Sequence, residues 1–200
     1  MDGEHYFTAR PASELHERTI RVVLQGETFD LKTADGVFSS EHLDTGTAVL
    51  LATVPPPATE GDLLDLGCGW GPIAIALARR SPGASVWAVD VNERALTLAA
   101  ANALIAGVEV KATWPQGIPE DVRFATIWSN PPIRIGKAAL HELLAMWLPR
   151  LAPGGTAWLV VAKQLGADSL QRWVAETFPD LAVSRATTDK GFRVLRVSRP

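Results

Sequence analysis

One stretch of this sequence decides its fold: Asp62-Leu63-Leu64-Asp65-Leu66-Gly67-Cys68-Gly69-Trp70-Gly71-Pro72. Its first five residues form a short apolar run, which predicts a buried strand, and a helix is predicted from Pro72 to Arg80. The glycines between them permit a tight turn and let a ligand approach the main chain with no Cβ in the way. The start of the helix adds free N–H groups and the positive end of the helix dipole. The stretch therefore predicts a nucleotide-type site at the carboxyl end of a strand.

The spacing of the glycines separates two kinds of cofactor loop. A dinucleotide-binding loop follows the pattern G-x-G-x-x-G. Counted from Gly67, the sixth position here is Pro72, and the glycines instead alternate as Gly67, Gly69 and Gly71. An acidic residue, Asp65, lies two positions before the first of them. The loop therefore differs from the nicotinamide-dinucleotide type, and the glycines alone are also compatible with a plain strand-to-helix turn.

Strands and helices alternate along the chain from Gly61 onward. The predicted strands are 62–66, 86–89, 108–112, 124–128, 156–162, 181–186 and 192–197, and the predicted helices are 72–80, 93–105, 138–151 and 168–178. We expect Pro153-Gly154-Gly155 to separate a helix from a strand, and Asp168 to cap the last helix. Alternation predicts a parallel sheet covered on both faces, and the short turn Lys190-Gly191 requires the last two strands to pair antiparallel. The fold class is α/β, with a mostly parallel seven-stranded sheet, an antiparallel C-terminal strand and helices on both faces.

The chain before Gly61 has a different pattern. Two extended segments, 18–24 and 28–33, flank the turn Gln25-Gly26-Glu27 and predict a hairpin. Asp44 is a candidate cap for a helix that ends before Pro55-Pro56-Pro57. We expect one domain over residues 1–200, with 1–60 as a hairpin-and-helix extension and 61–200 as a cofactor-binding core.

Composition and charge exclude several classes of protein. Of 200 residues, 47% are hydrophobic and 20% charged, which is typical of a globular domain and excludes intrinsic disorder. Cys68 is the single cysteine, so an intramolecular disulfide is impossible. The chain has no apolar N-terminal run and no stretch of the about 18 apolar residues that a membrane span needs, so we expect a cytoplasmic protein with no membrane partner. No metal is expected, because metal-ligand spacing is missing among His5, His16, His42 and His141.

Two further motifs follow predicted strands. Asp90, in Val89-Asp90-Val91-Asn92, could accept hydrogen bonds from two ribose hydroxyls, or it could cap the helix that begins near Asn92. Together with the glycine loop it indicates an adenosine-bearing ligand. The second motif is Ser129-Asn130-Pro131-Pro132-Ile133, in which the prolines cannot continue a sheet. The Asn130 amide oxygen and the Pro131 carbonyl could both accept from one exocyclic NH2 group, although a simple strand-ending turn is the alternative.

With these residues in hand, the chain resembles a class I S-adenosylmethionine-dependent methyltransferase with a Rossmann-like sheet. More narrowly it resembles the RsmC-like group, the catalytic domain of ribosomal small-subunit guanine-N2 methyltransferases and their stand-alone relatives. The resemblance covers nearly the whole chain. It rests on His5-Tyr6-Phe7, Gly36-Val37-Phe38-Ser39, Leu43-Asp44-Thr45-Gly46-Thr47, the Asp65–Gly71 loop, Asp90, Asn130–Ile133, Gly136-Lys137, Lys163-Gln164-Leu165-Gly166-Ala167 and Lys190-Gly191-Phe192.

The resemblance implies S-adenosylmethionine as the cofactor and assigns a role to each motif. The implied cofactor-binding residues are Phe38, Asp44, Asp65, Gly67, Cys68, Gly69, Gly71, Asp90, Val91, Asn92, Trp114 and Asn130. Asp65 would face the methionine amine. Trp114 follows the third strand, where relatives place an acid near the adenine, and it either covers the adenine face or is an ordinary loop side chain. The implied catalytic residues are Asn130, Pro131 and Pro132.

The acceptor implied by the resemblance is an exocyclic amino group, first of all guanine N2 in ribosomal RNA, presented as RNA or within the ribosomal small subunit. The implied substrate-binding residues are Ile133, Arg134, Lys137, Lys163 and Lys190. Ile133 replaces the aromatic residue that many amino-methyltransferases use to stack on a base. The cations could contact phosphate or be solvated surface charges, and the net charge of −3 implies that any contact with RNA is local. The alternatives are a protein-glutamine methyltransferase, a small-molecule methyltransferase and a catalytically silent cofactor-binding scaffold.

Overall fold

The structure, a computed structural model, describes residues 16–132 and 135–200. The motif His5-Tyr6-Phe7 and the predicted site residues Ile133 and Arg134 lie outside the described residues. The strands are β1 (Glu17–Leu24), β2 (Glu27–Ala34), β3 (Asp62–Leu66), β4 (Ser85–Val89), β5 (Lys111–Thr113), β6 (Phe124–Ser129), β7 (Leu151–Ala162), β8 (Ala182–Asp189) and β9 (Phe192–Ser198). The α-helices are α1 (Thr45–Thr53), α2 (Pro72–Arg80), α3 (Glu93–Ile105), α4 (Lys137–Trp147) and α5 (Ala167–Thr177). Within these ranges, no helix combines the length and the apolar character that a membrane crossing requires.

Seven strands form one sheet in the order β5-β4-β3-β6-β7-β9-β8. The pairs from β5 to β7 are parallel, and β9 runs antiparallel to both β7 and β8. The predicted α/β fold with a mostly parallel sheet and an antiparallel C-terminal strand is therefore confirmed. The chain proceeds from β3 outward to β4 and β5 and then returns to β6 on the other side of β3. Open α/β sheets bind ligands at the carboxyl ends of the strands where the order reverses in this way.

The core has two layers, one on each face of the sheet. Successive side chains of a strand point to opposite faces, and the fully buried Leu63 and Leu64 of β3 belong to different layers. Leu63 packs with apolar residues of α1, α2 and α3, while Leu64 packs with those of α4 and α5. Helices therefore cover both faces, and the carboxyl ends of the strands meet at one edge between the two layers.

The N-terminal hairpin is fastened to the core by polar side chains. Its turn is Gln25-Gly26, both with positive φ, as two-residue hairpin turns require, and Glu27 already belongs to β2. Asn102, fully buried on α3, accepts from the Lys32 N–H at 2.7 Å and donates to the carbonyls of Lys32 and Trp70, each at 2.8 Å. One side chain thus joins the hairpin to the helix layer and to the glycine loop.

Two predicted segments differ from the structure. The strand expected over 108–112 is limited to Lys111–Thr113, because Gly107 and Val108 donate to the Leu104 and Ala103 carbonyls and so complete the end of α3. The helix expected over 138–151 ends at Trp147, and a 3-10 turn at Leu148–Arg150 follows, since Pro149 cannot continue the hydrogen-bond ladder.

The glycine-rich segment Pro153-Gly154-Gly155 lies inside a strand rather than before it. β7 begins at Leu151, and its pairing with β6 shifts register between Phe124 and Thr126. The extra residues form a local irregularity of the bulge type, which a strand tolerates where glycine is available. The sequence prediction was wrong here because proline and glycine were taken to end regular structure.

Asp168 does not cap α5. The helix begins after Gly166, which has a φ of 96° and offers no side-chain cap. The Asp168 carboxylate instead lies in the first turn and accepts from Arg185 at 3.0 Å, and it also pairs with Arg193, which is buried on β9. A buried arginine needs an anionic partner, and this long-range requirement outweighs the local preference for aspartate as a cap.

Candidate active site

A cavity lies at the carboxyl edge of the sheet, at the point where the strand order reverses. Many of the residues predicted from the sequence line it: Phe38, Asp44, Gly67, Gly69, Asp90, Val91, Asn92, Asn130, Pro131 and Pro132. These residues come from the segment before α1 and from the ends of β3, β4 and β6. The topology therefore brings the three sequence motifs to one cavity although they are far apart in the chain.

The glycine loop passes directly over the end of β4. Gly67 and Cys68 both donate to the Val89 carbonyl, at 2.8 and 2.9 Å. Gly67 and Gly71 have φ angles of 77° and 92°, a backbone conformation that side chains disfavour. A Cβ on Gly71 would also lie 3.1 Å from Ala99 on α3, so this glycine permits the close approach of the loop to that helix. Gly71 serves the packing of the loop and does not line the cavity.

Asp65 lies beneath the loop, away from the cavity surface. It is fully buried, and its Oδ2 accepts from the N–H of Ala74 in the first turn of α2 at 2.9 Å. Burial raises the pKa of this carboxyl well above its usual range, and the nearby charge of Asp90 adds to the effect. Asp65 thus fastens the end of β3 to α2. Cys68 is likewise buried, and burial raises the pKa of its thiol well above the usual range.

Asp90 connects the end of β4 to the glycine loop. Its Oδ2 accepts from the Gly69 N–H at 2.9 Å, and its Oδ1 accepts from the Asn92 N–H at 3.0 Å. Burial raises the pKa of the Asp90 carboxyl. The cap of α3 is Asn92, which accepts from the Arg94 N–H at 2.9 Å, so Asp90 is not that cap. A carboxylate accepts about four hydrogen bonds, so Asp90 has capacity left for hydroxyl groups of a ligand in the cavity.

Asn130 follows β6, whose last residue is fixed by a hydrogen bond from the Ser129 hydroxyl to the Leu66 carbonyl at 2.7 Å. The Asn130 amide nitrogen donates to Asp44 Oδ2 at 2.7 Å and to the Thr47 hydroxyl at 3.0 Å. These two acceptors match the two amide hydrogens, and within the described parts of the chain Oδ1 accepts no hydrogen bond. Asn130 and Pro131 line the cavity together, and an amide Oδ1 and a backbone carbonyl oxygen are both hydrogen-bond acceptors.

Asp44 caps α1, as the sequence predicted, and accepts from the Thr47 N–H at 3.0 Å. The same oxygen accepts from Asn130. Thr47 was not predicted as a site residue, although it belongs to the motif Leu43–Thr47 on which the resemblance rests. The segment before the core thus reaches the Asn-Pro-Pro loop through direct hydrogen bonds.

Trp114 and the three predicted lysines do not line the cavity. Trp114 is 36% exposed and is not part of the lining, whereas the next residue, Pro115, is. Lys137, Lys163 and Lys190 are exposed. The Lys163 N–H donates to the Gly191 carbonyl at 2.8 Å, which joins the end of β7 to the β8–β9 turn.

Sequence reasoning missed the apolar side of the cavity. Leu143 of α4, Leu165 after β7 and Phe192 at the start of β9 line it, together with Gln164. Two of these segments were noticed for their resemblance to stand-alone relatives, but nothing in the local sequence indicates which of their side chains reach the cavity. Within residues 16–132 and 135–200, no cluster of three or more His, Cys, Asp or Glu side chains is arranged to hold a metal ion.

This fold is the Rossmann-like architecture of class I methyltransferases that the sequence resemblance implied. The chain belongs to the methyltransferase small domain family, which matches residues 28–196.

Comparison with known proteins places the chain near two kinds of relative. It is 31% identical to the uncharacterized protein YbxB of Bacillus subtilis (strain 168) over 201 residues, covering 98% of this chain and 99% of that one. It is 34% identical to ribosomal RNA small subunit methyltransferase C of Shewanella amazonensis over 160 residues, covering 78% of this chain and 46% of that one. The chain thus spans about half the length of the ribosomal RNA methyltransferase, and nearly the full length of YbxB.

Solved structures resemble the fold over most of the chain. The T. thermophilus 16S rRNA N2 G1207 methyltransferase (RsmC), in complex with AdoMet and guanosine, superposes with a TM-score of 0.80 at 24% identity, covering 95% of this chain and 52% of that one. A methyltransferase from Pyrococcus furiosus gives a TM-score of 0.66 at 20% identity, covering 85% of this chain and 88% of that one. At these identities the likeness establishes the fold.

Proposed function

We propose that this protein binds S-adenosylmethionine and transfers its methyl group to an exocyclic amino group, the N2 of guanine in ribosomal RNA. The observation that carries the proposal is the position of Asn130, whose amide nitrogen is fully engaged while the residue lines the cavity next to Pro131. Family membership supports methyl transfer. The ribosomal RNA methyltransferases among the relatives support the choice of acceptor.

The cavity fits the cofactor at both of its ends. A Cβ added to Gly69 would meet no atom within 4 Å, so the glycine leaves open space beside the loop that a side chain would fill. We assign the methionine portion to Gly67 and Gly69 and the ribose hydroxyls to the Asp90 carboxylate. Val91 and Phe38, which are 40% and 39% exposed, supply apolar surface for the adenine. The bound cofactor supplies an electrophilic methyl group on a sulfonium ion.

The protein's contribution to transfer is positioning. The lone pair of a base amino group is delocalised into the ring, which makes the nitrogen a poor nucleophile. Hydrogen bonds from this NH2 to the Asn130 Oδ1 and the Pro131 carbonyl favour a more tetrahedral nitrogen, whose lone pair is then directed at the methyl group. Such bonds strengthen as the reaction proceeds, and stabilisation that appears only in the transition state accelerates a reaction.

Contact with RNA is assigned to cations near the cavity opening. Lys163 and Lys190 flank the residues Gln164, Leu165 and Phe192 that line the cavity, and both lysines are exposed. Lys137 begins the helix that follows the Asn-Pro-Pro loop. Exposed lysines contact phosphate without reading sequence. Because the net charge is −3, the partner is either RNA held locally or an assembled small subunit whose own proteins contribute to binding.

The experiment that tests the proposal labels a total lysate of a strain lacking the gene with tritiated S-adenosylmethionine and the purified protein. The lysate is then separated into RNA, protein and small molecules, and labelled RNA is digested to nucleosides. We expect label in ribosomal RNA as N2-methylguanosine. Label confined to glutamine in protein, or to small molecules, would overturn the choice of acceptor, and no transfer at all would indicate a silent cofactor-binding scaffold.

A further inference from the structure

We infer that Asp44 is a positioning residue that fixes the direction of the Asn130 amide and so restricts the acceptor to groups that donate a hydrogen bond. The inference rests on the proposed function and deepens it. It concerns a residue of the N-terminal extension that lies 86 positions from its partner in the chain. Thr47 is the second member of the arrangement, which we call the amide lock: Asp44, Thr47 and Asn130.

The direction of the Asn130 amide follows from the chemistry of its neighbour. The two ends of an amide look alike, and their assignment depends on the hydrogen bonds around them. An ionised carboxylate only accepts hydrogen bonds. The Asn130 nitrogen lies 2.7 Å from Asp44 Oδ2, so a reversed amide would place two acceptor oxygens against each other. Asp44 therefore holds the nitrogen on its own side and leaves the oxygen for the cavity.

The carboxylate of Asp44 is itself held in place. Its Oδ2 accepts from the Thr47 N–H at 3.0 Å, as the cap of α1, as well as from Asn130. A Cβ added to Gly46 would lie 2.9 Å from this oxygen and 2.9 Å from the Phe192 ring. The carboxylate is thus packed against the backbone of α1 with no room for even a methyl group. The start of α1 therefore holds the Asn130 side chain of the Asn-Pro-Pro loop in a fixed position.

The chemical consequence is selectivity for amines. An acceptor oxygen directed into the cavity binds the N–H of an amino group. A reversed amide would present N–H donors, which suit a carbonyl or hydroxyl oxygen and repel an amino group. Asp44 thereby determines which acceptor the site takes through the direction of the Asn130 amide.

The test uses three variants of the full chain. Asp44→Ala removes the oxygen that accepts from the Asn130 amide. Asp44→Asn keeps that oxygen, since asparagine caps helices as well as aspartate does and the capping oxygen is the one that accepts from Asn130. Asp62→Ala is the matched control for Asp44→Ala, because Asp62 accepts from the Trp87 indole at 2.7 Å at the opposite end of β3.

We expect Asp44→Ala to lower kcat about 10- to 100-fold, the effect of losing one hydrogen bond to a charged group, with affinity for S-adenosylhomocysteine within about threefold. Asp44→Asn should keep kcat within about tenfold of the wild type, because it retains the oxygen that accepts from Asn130. Asp62→Ala should leave kcat unchanged. An Asp44→Asn variant no more active than Asp44→Ala, a wild-type kcat in Asp44→Ala, or loss confined to cofactor affinity would overturn the inference.

A second readout does not depend on activity. In 15N-labelled protein, the side-chain NH2 signals of Asn130 are assigned by their absence in Asn130→Asp. We expect slow exchange of these hydrogens with solvent in the wild type and in Asp44→Asn, faster exchange in Asp44→Ala and no change in Asp62→Ala. Unaltered exchange in Asp44→Ala would refute the lock whatever the acceptor is. A wild type that shows the lock but methylates no amino group would instead refute the proposed function.

Discussion

The carboxylate of Asp90 accepts a hydrogen bond from the backbone N–H of Gly69 at 2.9 Å. This bond joins the two motifs from which the sequence indicated an adenosine-bearing ligand. The residue assigned to the ribose thus also stabilises the loop assigned to the methionine portion, so a change at Asp90 affects both ends of the cofactor site.

Asp90→Ala should weaken cofactor binding by about one to two decades, because a hydrogen bond to a charged group contributes about 1.5–3 kcal/mol. Calorimetric titration with S-adenosylhomocysteine measures the effect. Asp180→Ala, at an exposed turn, is the control for loss of a carboxylate. If the Asp90 variant folds and binds as the wild type does, the carboxylate only supports the loop.

The choice between an S-adenosylmethionine-type cofactor and NAD can be tested by the same calorimetric titration. We expect the wild type to bind S-adenosylhomocysteine and not NAD, since Pro72 stands where a dinucleotide loop has its third glycine. Tight binding of NAD without binding of S-adenosylhomocysteine would contradict the assignment of the glycine loop.

The difference in stability between the Asp65→Asn variant and the wild type should shift in favour of the variant as the pH rises. Burial raises the pKa of Asp65 in the folded protein. The wild type is therefore most stable below the unfolded-state pKa of about 3.9, where the carboxyl is protonated in both states. It loses that stability as pH rises through the higher pKa of the folded state. Asparagine does not titrate and can still accept from the Ala74 N–H. Thermal unfolding of both proteins between pH 5 and 8 checks this, and a difference in Tm that does not change with pH would show that Asp65 does not titrate in this window.

Asn130→Asp gives a different pH dependence from Asn130→Ala. The sequence alone suggests that aspartate is the milder change, since it keeps an acceptor oxygen. In the structure the new carboxylate would lie beside Asp44, whose oxygen is 2.7 Å from the present nitrogen. Two carboxylates at this distance share one proton, which raises the upper pKa of the pair.

The sign of the effect follows from that raised pKa. The pair formed by Asp44 and the introduced carboxylate is stable while it holds its proton, so the variant loses stability and activity as pH rises through the upper pKa of the pair. We expect Asn130→Asp to be more active than Asn130→Ala at the acidic end of the range, with the advantage shrinking as pH increases. Parallel rate measurements on both variants test this, and a constant ratio of rates would argue against direct contact between positions 44 and 130.

The sequence predicted those parts of the fold that depend on local rules. β3 and α2 occupy the predicted residues because Pro72 and the glycines fix the turn between them, and α3 also has its predicted bounds. The short edge strand β5 and the bulged start of β7 were misjudged, since their limits depend on pairing with β4 and β6. Asp168 was misassigned because its partner Arg193 lies on a distant strand.

The candidate site also contains a part that local sequence rules predict and a part that depends on long-range contacts. The glycine loop, Asp90 and Asn130 each carry a local signature, and the carboxyl edge of a parallel sheet brings them together. The contact of Asn130 with Asp44 spans 86 residues and has no local signature. Phe192 and Leu143 reach the cavity only because β9 and α4 pack beside β7 and β6, which no single segment of the sequence specifies.

The central claim is that Asn130 acts in transfer and not in cofactor binding. Single-turnover methyl transfer to ribosomal RNA or small subunits by Asn130→Ala, with cofactor affinity measured in parallel, tests it most directly. We predict a rate lower by about 10²–10³, the usual effect of removing one preorganised hydrogen-bonding group from a reacting centre, with affinity for S-adenosylmethionine changed only a few-fold. A wild-type rate in Asn130→Ala would remove Asn130 from the mechanism, and loss of cofactor binding would show that the residue belongs to the cofactor site instead.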